Sequence, residues 1–174
     1  MEIKRAGDVM IPLEVYPHIP YWFTLRQTVA ELESAQIEMY GRKSLPRWVL
    51  VFDEKYQLMG TVRRRDILRG LEAEFLSREA PAAEHNPFHV KVDPGLSELS
   101  YDKLLERMRK QAERPVSDVM QPIITTVEYE DNLIKVIFEM VDHNVSMIPV
   151  LKENKVAGVI RSTDVLHEVD KLVL

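Results

Sequence analysis

The clearest alternation of apolar and polar positions lies in the last third of the chain. Ile123 to Val127 is a β-branched run and predicts a strand. Leu133, Ile134, Val136, Ile137, Met140 and Val141 then recur at helical spacing, so they share one apolar face. Asp131 stands where that helix needs a cap, and His143-Asn144 ends it. Met147 to Leu151 is a short apolar run. Pro149 within it predicts an edge or bent strand, because proline brings no N–H to a ladder. Lys152 to Lys155 is a polar turn and Val156 to Ile160 the next strand. Ser162 or Thr163 caps a closing helix with Val165, Leu166 and Val169 on its inner face. The predicted order is β-α-β-β-α.

The first half reads in the same order. Thr24-Leu25-Arg26-Gln27 has capping-box spacing, and Leu25, Val29, Leu32 and Ile37 continue the helix it opens. Trp48 to Phe52 and Leu58 to Val62 are strands around the turn Asp53-Glu54-Lys55-Tyr56, and Ile67, Leu68 and Leu71 begin the closing helix. Residues 79–114 predict a structured connector. His89 to Val92 suits a short strand and Pro94-Gly95 a turn. Ser100 to Glu113 suits an amphipathic helix striped by Tyr101, Leu104, Leu105 and Met108 and limited by Pro115.

The two halves are echoes of each other. Asp8-Val9-Met10-Ile11-Pro12 returns 110 positions later as Asp118-Val119-Met120-Gln121-Pro122. Gly60 to Leu68 returns 98 positions later as Gly158 to Leu166, keeping the glycine, an arginine and an aspartate in register. Ordered matches of this kind mark an internal repeat. The first copy carries about 12 more residues between its motifs, placed by the sequence partly in Glu14 to Phe23 and partly around Gly41 to Pro46. The aromatic, proline-punctuated stretch Tyr16 to Phe23 either packs locally or lines a site or contact surface.

Composition removes several classes of chemistry. The 174 residues include no cysteine, which excludes thiol catalysis, disulfide scaffolds and cysteine-based zinc fingers. Lys plus Arg is 23 and Asp plus Glu 28, a net charge of −5 that argues against broad nucleic-acid binding. No apolar run reaches the ~20 residues of a membrane span, and Met-Glu-Ile-Lys-Arg at the start has no signal-like apolar segment. The expectation is a cytoplasmic protein. No Walker A, G-x-S-x-G or G-x-G-x-x-G motif occurs, and no nucleophile stands beside a base, so no enzymatic role is expected. His85 and His89 are spaced i, i+4, but Pro87 between them argues against a metal pair.

Asp-Val-Met-x-Pro, then a helix, two short strands and Gly-x-x-x-x-x-Asp opening a helix, resembles the CBS domain. Two copies resemble a CBS pair, or Bateman module, covering residues 3–78 and 115–174. The resemblance implies an α/β (α+β) fold of two β-α-β-β-α repeats packed as a pseudo-twofold pair, frequent homodimerisation, and a regulatory role beside a separate regulated protein. It also implies an adenosine-type ligand such as AMP, ADP, ATP or S-adenosylmethionine in the cleft between repeats, with no cofactor required.

On that resemblance Asp66 and Asp164 hold the ligand-contacting position. A carboxylate in a first helical turn can accept both hydroxyls of a ribose, or merely charge its own helix. Where many nucleotide-binding members carry Ser or Thr three residues earlier, this chain has Arg63 and Arg161. Each arginine either clamps a phosphate or pairs with its own aspartate and fills the cleft. In the second case the module is a ligand-free dimerisation or docking unit. Ile123, Ile124, Met147 and Ile148 are walls for a base or core strand residues, and Thr125 and Thr126 offer hydroxyls beside it. Arg63, Arg64, Arg65 and Arg69 cluster as a solvated face, a phosphate site, or a surface for a partner or nucleic acid, and as a phosphate site they would draw a strongly charged ligand to the first cleft.

Overall fold

A computed structural model describes residues 4–72 and 101–174. The His85/His89 pair, the strand at His89 to Val92 and the turn at Pro94-Gly95 lie outside the described residues, as does most of the expected connector.

The first half runs α1 (Ala6–Val9), β1 (Ile11–Pro12), β2 (His18–Pro20), α2 (Leu25–Ser34), β3 (Ile37–Met39), β4 (Arg42–Ser44), β5 (Trp48–Phe52), β6 (Leu58–Arg63) and α3 (Arg64–Leu71). The rest runs α4 (Tyr101–Gln111), β7 (Gln121–Pro122), β8 (Val127–Glu128), α5 (Leu133–Asp142), β9 (Met147–Lys152), β10 (Lys155–Arg161) and α6 (Ser162–Val173). Two four-stranded sheets result, ordered β2-β5-β6-β7 and β1-β10-β9-β8, with β3-β4 a separate hairpin.

The halves exchange their first strands. β1 pairs with β10, Pro12 opposite Gly158, and β7 pairs with β6, Pro122 opposite Gly60. The two pairings occupy matching places in the repeat. The exchange extends to the core. Ala6 and Val9 pack with Val136, Ile148 and Val165 of the second half, and Val116 packs with Leu25, Val49 and Ile67 of the first. Between the sheets lies a middle cluster that includes Ile11, Tyr16, Leu50, Met147 and Val159. Neither half closes its core alone.

The exchange explains why Ile123 to Val127 is not one strand. β7 belongs to one sheet and β8 to the other, so residues 123–126 cross between them without ladder partners. Of the edge or bent strand expected at Pro149, the edge is not found. β9 is an inner strand, yet β8 pairs with it only at Val150 and Leu151. Pro149 lies just before those pairs and lines a cavity there.

Helix α2 begins at the expected capping box, where Thr24 Oγ1 accepts the Gln27 N–H at 3.2 Å and Gln27 Oε1 accepts the Thr24 N–H at 2.9 Å. It ends at Ser34, and Ile37 opens a strand instead of continuing the helix. Helix α5 is capped by Asn132, whose Oδ1 accepts the Lys135 N–H at 2.9 Å. Asp131 is already taken by the Glu128 N–H at 2.8 Å. Ser162 and Thr163 do not cap α6. Arg161 occupies the N-cap, and the Asp164 carboxylate accepts its N–H.

The strand pairs locate the residues that make the first half longer. Pro12 to Ile19 spans seven positions where Pro122 to Val127 spans five. Thr24 to Trp48 spans 24 where Asn132 to Met147 spans 15. Most of the excess is therefore the β3-β4 hairpin. Only two residues fall in Glu14 to Phe23, whose His18–Pro20 is the counterpart of β8.

Candidate functional site

Gly158 and Gly60 begin the two matching segments, and strand exchange explains both. A Cβ on Gly158 would sit 2.2 Å from the Ile11 carbonyl oxygen, and one on Gly60 would sit 2.4 Å from that of Gln121. Each glycine lets the exchanged strand approach the last strand of the sheet, which then runs into a helix carrying the aspartate in its first turn.

At each of these turns the arginine folds onto the aspartate. Asp66 Oδ2 accepts the Arg63 backbone N–H at 2.9 Å and Nε at 3.0 Å, and Oδ1 accepts Nη2 at 3.1 Å. Asp164 Oδ2 accepts the Arg161 backbone N–H at 3.1 Å and Nε at 2.8 Å, and Oδ1 accepts Nη2 at 2.7 Å. Arg161 Nη1 also donates to Ser44 Oγ at 2.9 Å. Both aspartates are buried. Burial alone would raise the Asp66 pKa, but the Arg63 hydrogen bonds and the nearby Arg69 outweigh it and hold the carboxyl below the usual range. The same contacts raise the pKa values of Arg63 and Arg161.

Two cavities flank these pairs, and Trp48 and Ser146 line both. The first, about 250 Å³, is lined by Arg63, by Gln121 and Pro122 of β7, by Ile123 to Thr125 of the crossing segment, and by Asn144 to Met147 and Pro149. The second, about 630 Å³, is lined by Arg161 to Asp164 and His167 on one side and by Tyr40, Arg42, Ser44 and Arg47 on the other.

The expected site residues are divided among several places. Arg63, Ile123 and Thr125 meet in the first cavity, where the Thr125 hydroxyl donates to Glu139 Oε2 at 2.8 Å. Arg161 and Asp164 meet in the second. Asp66 lies behind Arg63 and does not line the first cavity. Thr126 faces a third cavity of about 400 Å³, shared with Ile123, Lys55, Tyr56 and Lys155. Ile148 is wholly buried in the core of the second half and lines none of these cavities. Arg64, counted above toward the first cleft, lines the second. Among the described residues no His, Cys, Asp and Glu side chains gather as a metal-binding group, and no helix is long and apolar enough to cross a membrane.

The hairpin supplies residues that the sequence pattern did not single out. Tyr40 and Gly41, at its tip, both have positive φ (54° and 70°), as a tight two-residue turn between strands requires. The Tyr40 ring lies 3.9 Å from that of His167, so the tip rests on α6. Burial and the negative charges of Glu168 and Asp164 push the Tyr40 hydroxyl up to about 12. Glu168 accepts from Lys4 and Lys171, each at 2.9 Å. Its own burial would raise its pKa, but the two lysines bring it down to about 2. Trp48 is fixed through its carbonyl oxygen, which accepts the buried Tyr16 hydroxyl at 3.1 Å. Gly41 at the turn is the only sequence cue to the hairpin, since Arg42-Lys43-Ser44 shows no apolar alternation.

The comparisons bear on the fold. The family model of the CBS domain matches residues 116–171. No curated protein matches the chain. Among solved structures, a CBS domain-containing protein of unknown function from Kribbella flavida is 16% identical with a TM-score of 0.69, over 96% of this chain and 98% of that one. CBSX2, solved in complex with AMP, is 15% identical with a TM-score of 0.61, over 97% of each chain. The cytosolic domain of the Mg2+ channel MgtE, solved with ATP, is 18% identical with a TM-score of 0.57, over 94% of this chain and 48% of that one. Residues 116–171 are a CBS domain, and the chain as a whole has the fold of a CBS-domain pair.

Proposed function

We propose that the chain is a regulatory ligand sensor that binds an adenosine-type nucleotide in the cleft between its repeats. The observation that carries this reading is the second cavity. It is large enough for a nucleotide and puts the Arg161–Asp164 pair, the hydroxyl-bearing Ser162 and Thr163, and the aromatic rings of Tyr40 and Trp48 around one space. AMP in CBSX2 and ATP in the MgtE domain support the ligand class. Asp164 would meet the ribose once Arg161 releases it, and Arg161 would then turn to a phosphate. Both halves contribute walls, so a ligand that prefers one arrangement of the repeats shifts their equilibrium by its difference in affinity. In this reading the module works in the cytoplasm as a homodimer beside a separate regulated protein. The exposed apolar side chains Ile134, Phe138 and Val141 of α5 supply the dimer face. Calorimetry with AMP, ADP, ATP and S-adenosylmethionine tests the reading. Heat from a nucleotide, reduced in Asp164→Asn, supports it, and no heat from any of the four removes it.

A second reading is favoured by the closed Arg63–Asp66 and Arg161–Asp164 pairs. In it the arginines occupy the clefts permanently and the module serves only for dimerisation or docking. A protein that stays dimeric and ignores all four ligands fits this alternative.

A further inference from the structure

We infer that the second cleft selects ligands carrying two or more phosphate groups, through Arg42 and Arg47 at the hairpin; the inference rests on the nucleotide-binding reading above. Four arginines line this cavity. Two are committed. Arg161 is bound to Asp164 and Ser44. Arg64 is bound to Glu33 and to the carbonyl oxygens of Leu32 and Pro46. Arg42 and Arg47 are exposed, and their side chains make no hydrogen bond or ion pair with any described residue.

The charge around them is not balanced. Asp164 is the one carboxylate among the described residues that line it, and Arg161 already holds it. Glu168, close to Tyr40, is clamped by Lys4 and Lys171. The cavity therefore offers two uncommitted guanidinium forks and no free acid. A guanidinium fork matches two phosphate oxygens, and two separate forks need more than one phosphate group to engage both.

The first cleft lacks this equipment. Its one lining arginine, Arg63, is held by Asp66, and its volume is less than half that of the second. The loop that corresponds to the hairpin, His143 to Ser146, carries no lysine or arginine. The selectivity thus comes from the nine or so residues by which the first repeat exceeds the second between helix and strand. It reverses the preference for the first cleft suggested by the arginine run at 63–65.

The test is calorimetry at low salt with AMP, ADP, ATP and inorganic tripolyphosphate on the full chain. The variants are Arg42→Gln/Arg47→Gln and, on the same hairpin but outside the cavity, Lys43→Gln. ATP should bind at least about tenfold more tightly than AMP, since a hydrogen bond to a charged group is worth about a factor of ten or more. The double variant should lose most of that gap, and Lys43→Gln should keep it. Raising the salt should narrow it. Equal affinity for AMP and ATP, or a gap that survives the double substitution, overturns the inference and leaves nucleotide binding standing. No binding by any nucleotide overturns both.

Discussion

Arg161 and Asp164 are joined by three hydrogen bonds across a single helical turn, and Arg63 and Asp66 repeat the arrangement in the other half. The two pairs differ in their access to water. The Arg161 side chain is 13% exposed and that of Arg63 is 45% exposed. Removing each aspartate therefore has a different consequence. Asp164→Ala leaves a nearly buried cation without its counter-charge, held only by Ser44, and should cost about 3 kcal/mol. Asp66→Ala leaves an arginine that can turn to solvent and should cost about 1 kcal/mol. Urea denaturation of both variants measures the difference, and equal losses would show that the two environments are alike. Ligand binding is better probed with Asp164→Asn, which keeps one hydrogen-bonding oxygen.

The exchanged strands make Gly158 far more demanding than a turn glycine. Ile11 approaches through its backbone, which cannot rotate away from an added methyl group. Gly158→Ala should destabilise the fold by about 3 kcal/mol. Gly41→Ala meets nothing within 4 Å and suffers only from its positive φ, so about 1 kcal/mol is expected. Thermal denaturation that ranks the two in the opposite order would contradict the strand exchange.

Acid should loosen the contact between the N-terminal segment and α6. The Glu168 carboxyl is held at about 2, against an ordinary value of 4.5, by Lys4 and Lys171 acting against its burial. A carboxyl with a depressed folded-state pKa stabilises the fold fully above its unfolded value and loses that contribution as pH falls through its folded value. Stability should therefore decline between about pH 4.5 and pH 2, and Glu168→Gln should flatten that decline. Denaturation midpoints across this range, for wild type and variant, check it. Identical slopes would exclude Glu168 as a contributor.

The exposed apolar face of α5 gives a separate prediction. Phe138→Lys removes no core contact and should change stability by no more than about 0.5 kcal/mol. If α5 forms the dimer face, the variant should sediment as a monomer where the wild type sediments as a dimer. A variant that remains dimeric would place the interface elsewhere.

The repeat was legible because Gly60 and Gly158, Asp66 and Asp164, and the apolar strands before them stand at fixed spacing. Strands β5, β6, β9 and β10 announced themselves through runs such as Val49-Leu50-Val51 and Val159-Ile160. The exchange of β1 and β7 was hidden because each is two residues long, too short for any periodicity, and their partners lie far off in sequence. The hairpin was hidden for a related reason. Ile37 fits the helical spacing of α2 as well as it fits a strand, and only Ala35 and Gln36 separate helix from strand. The candidate site was legible at Arg63, Asp66, Arg161 and Asp164 and not at Tyr40, Arg42, Arg47 or Trp48. The first four follow from the motif. Tyr40 and Arg42 reach the second cleft only through tertiary packing of the hairpin on α6, and Arg47 and Trp48 reach it where β5 begins.

The most direct test of nucleotide sensing is hydrogen–deuterium exchange of the full chain with and without saturating ATP. Slower exchange is expected in residues 37–48 and 161–167, the two walls of the second cleft. Unchanged exchange in both walls, and in residues 121–125 and 144–149 around the first cleft, would contradict nucleotide sensing.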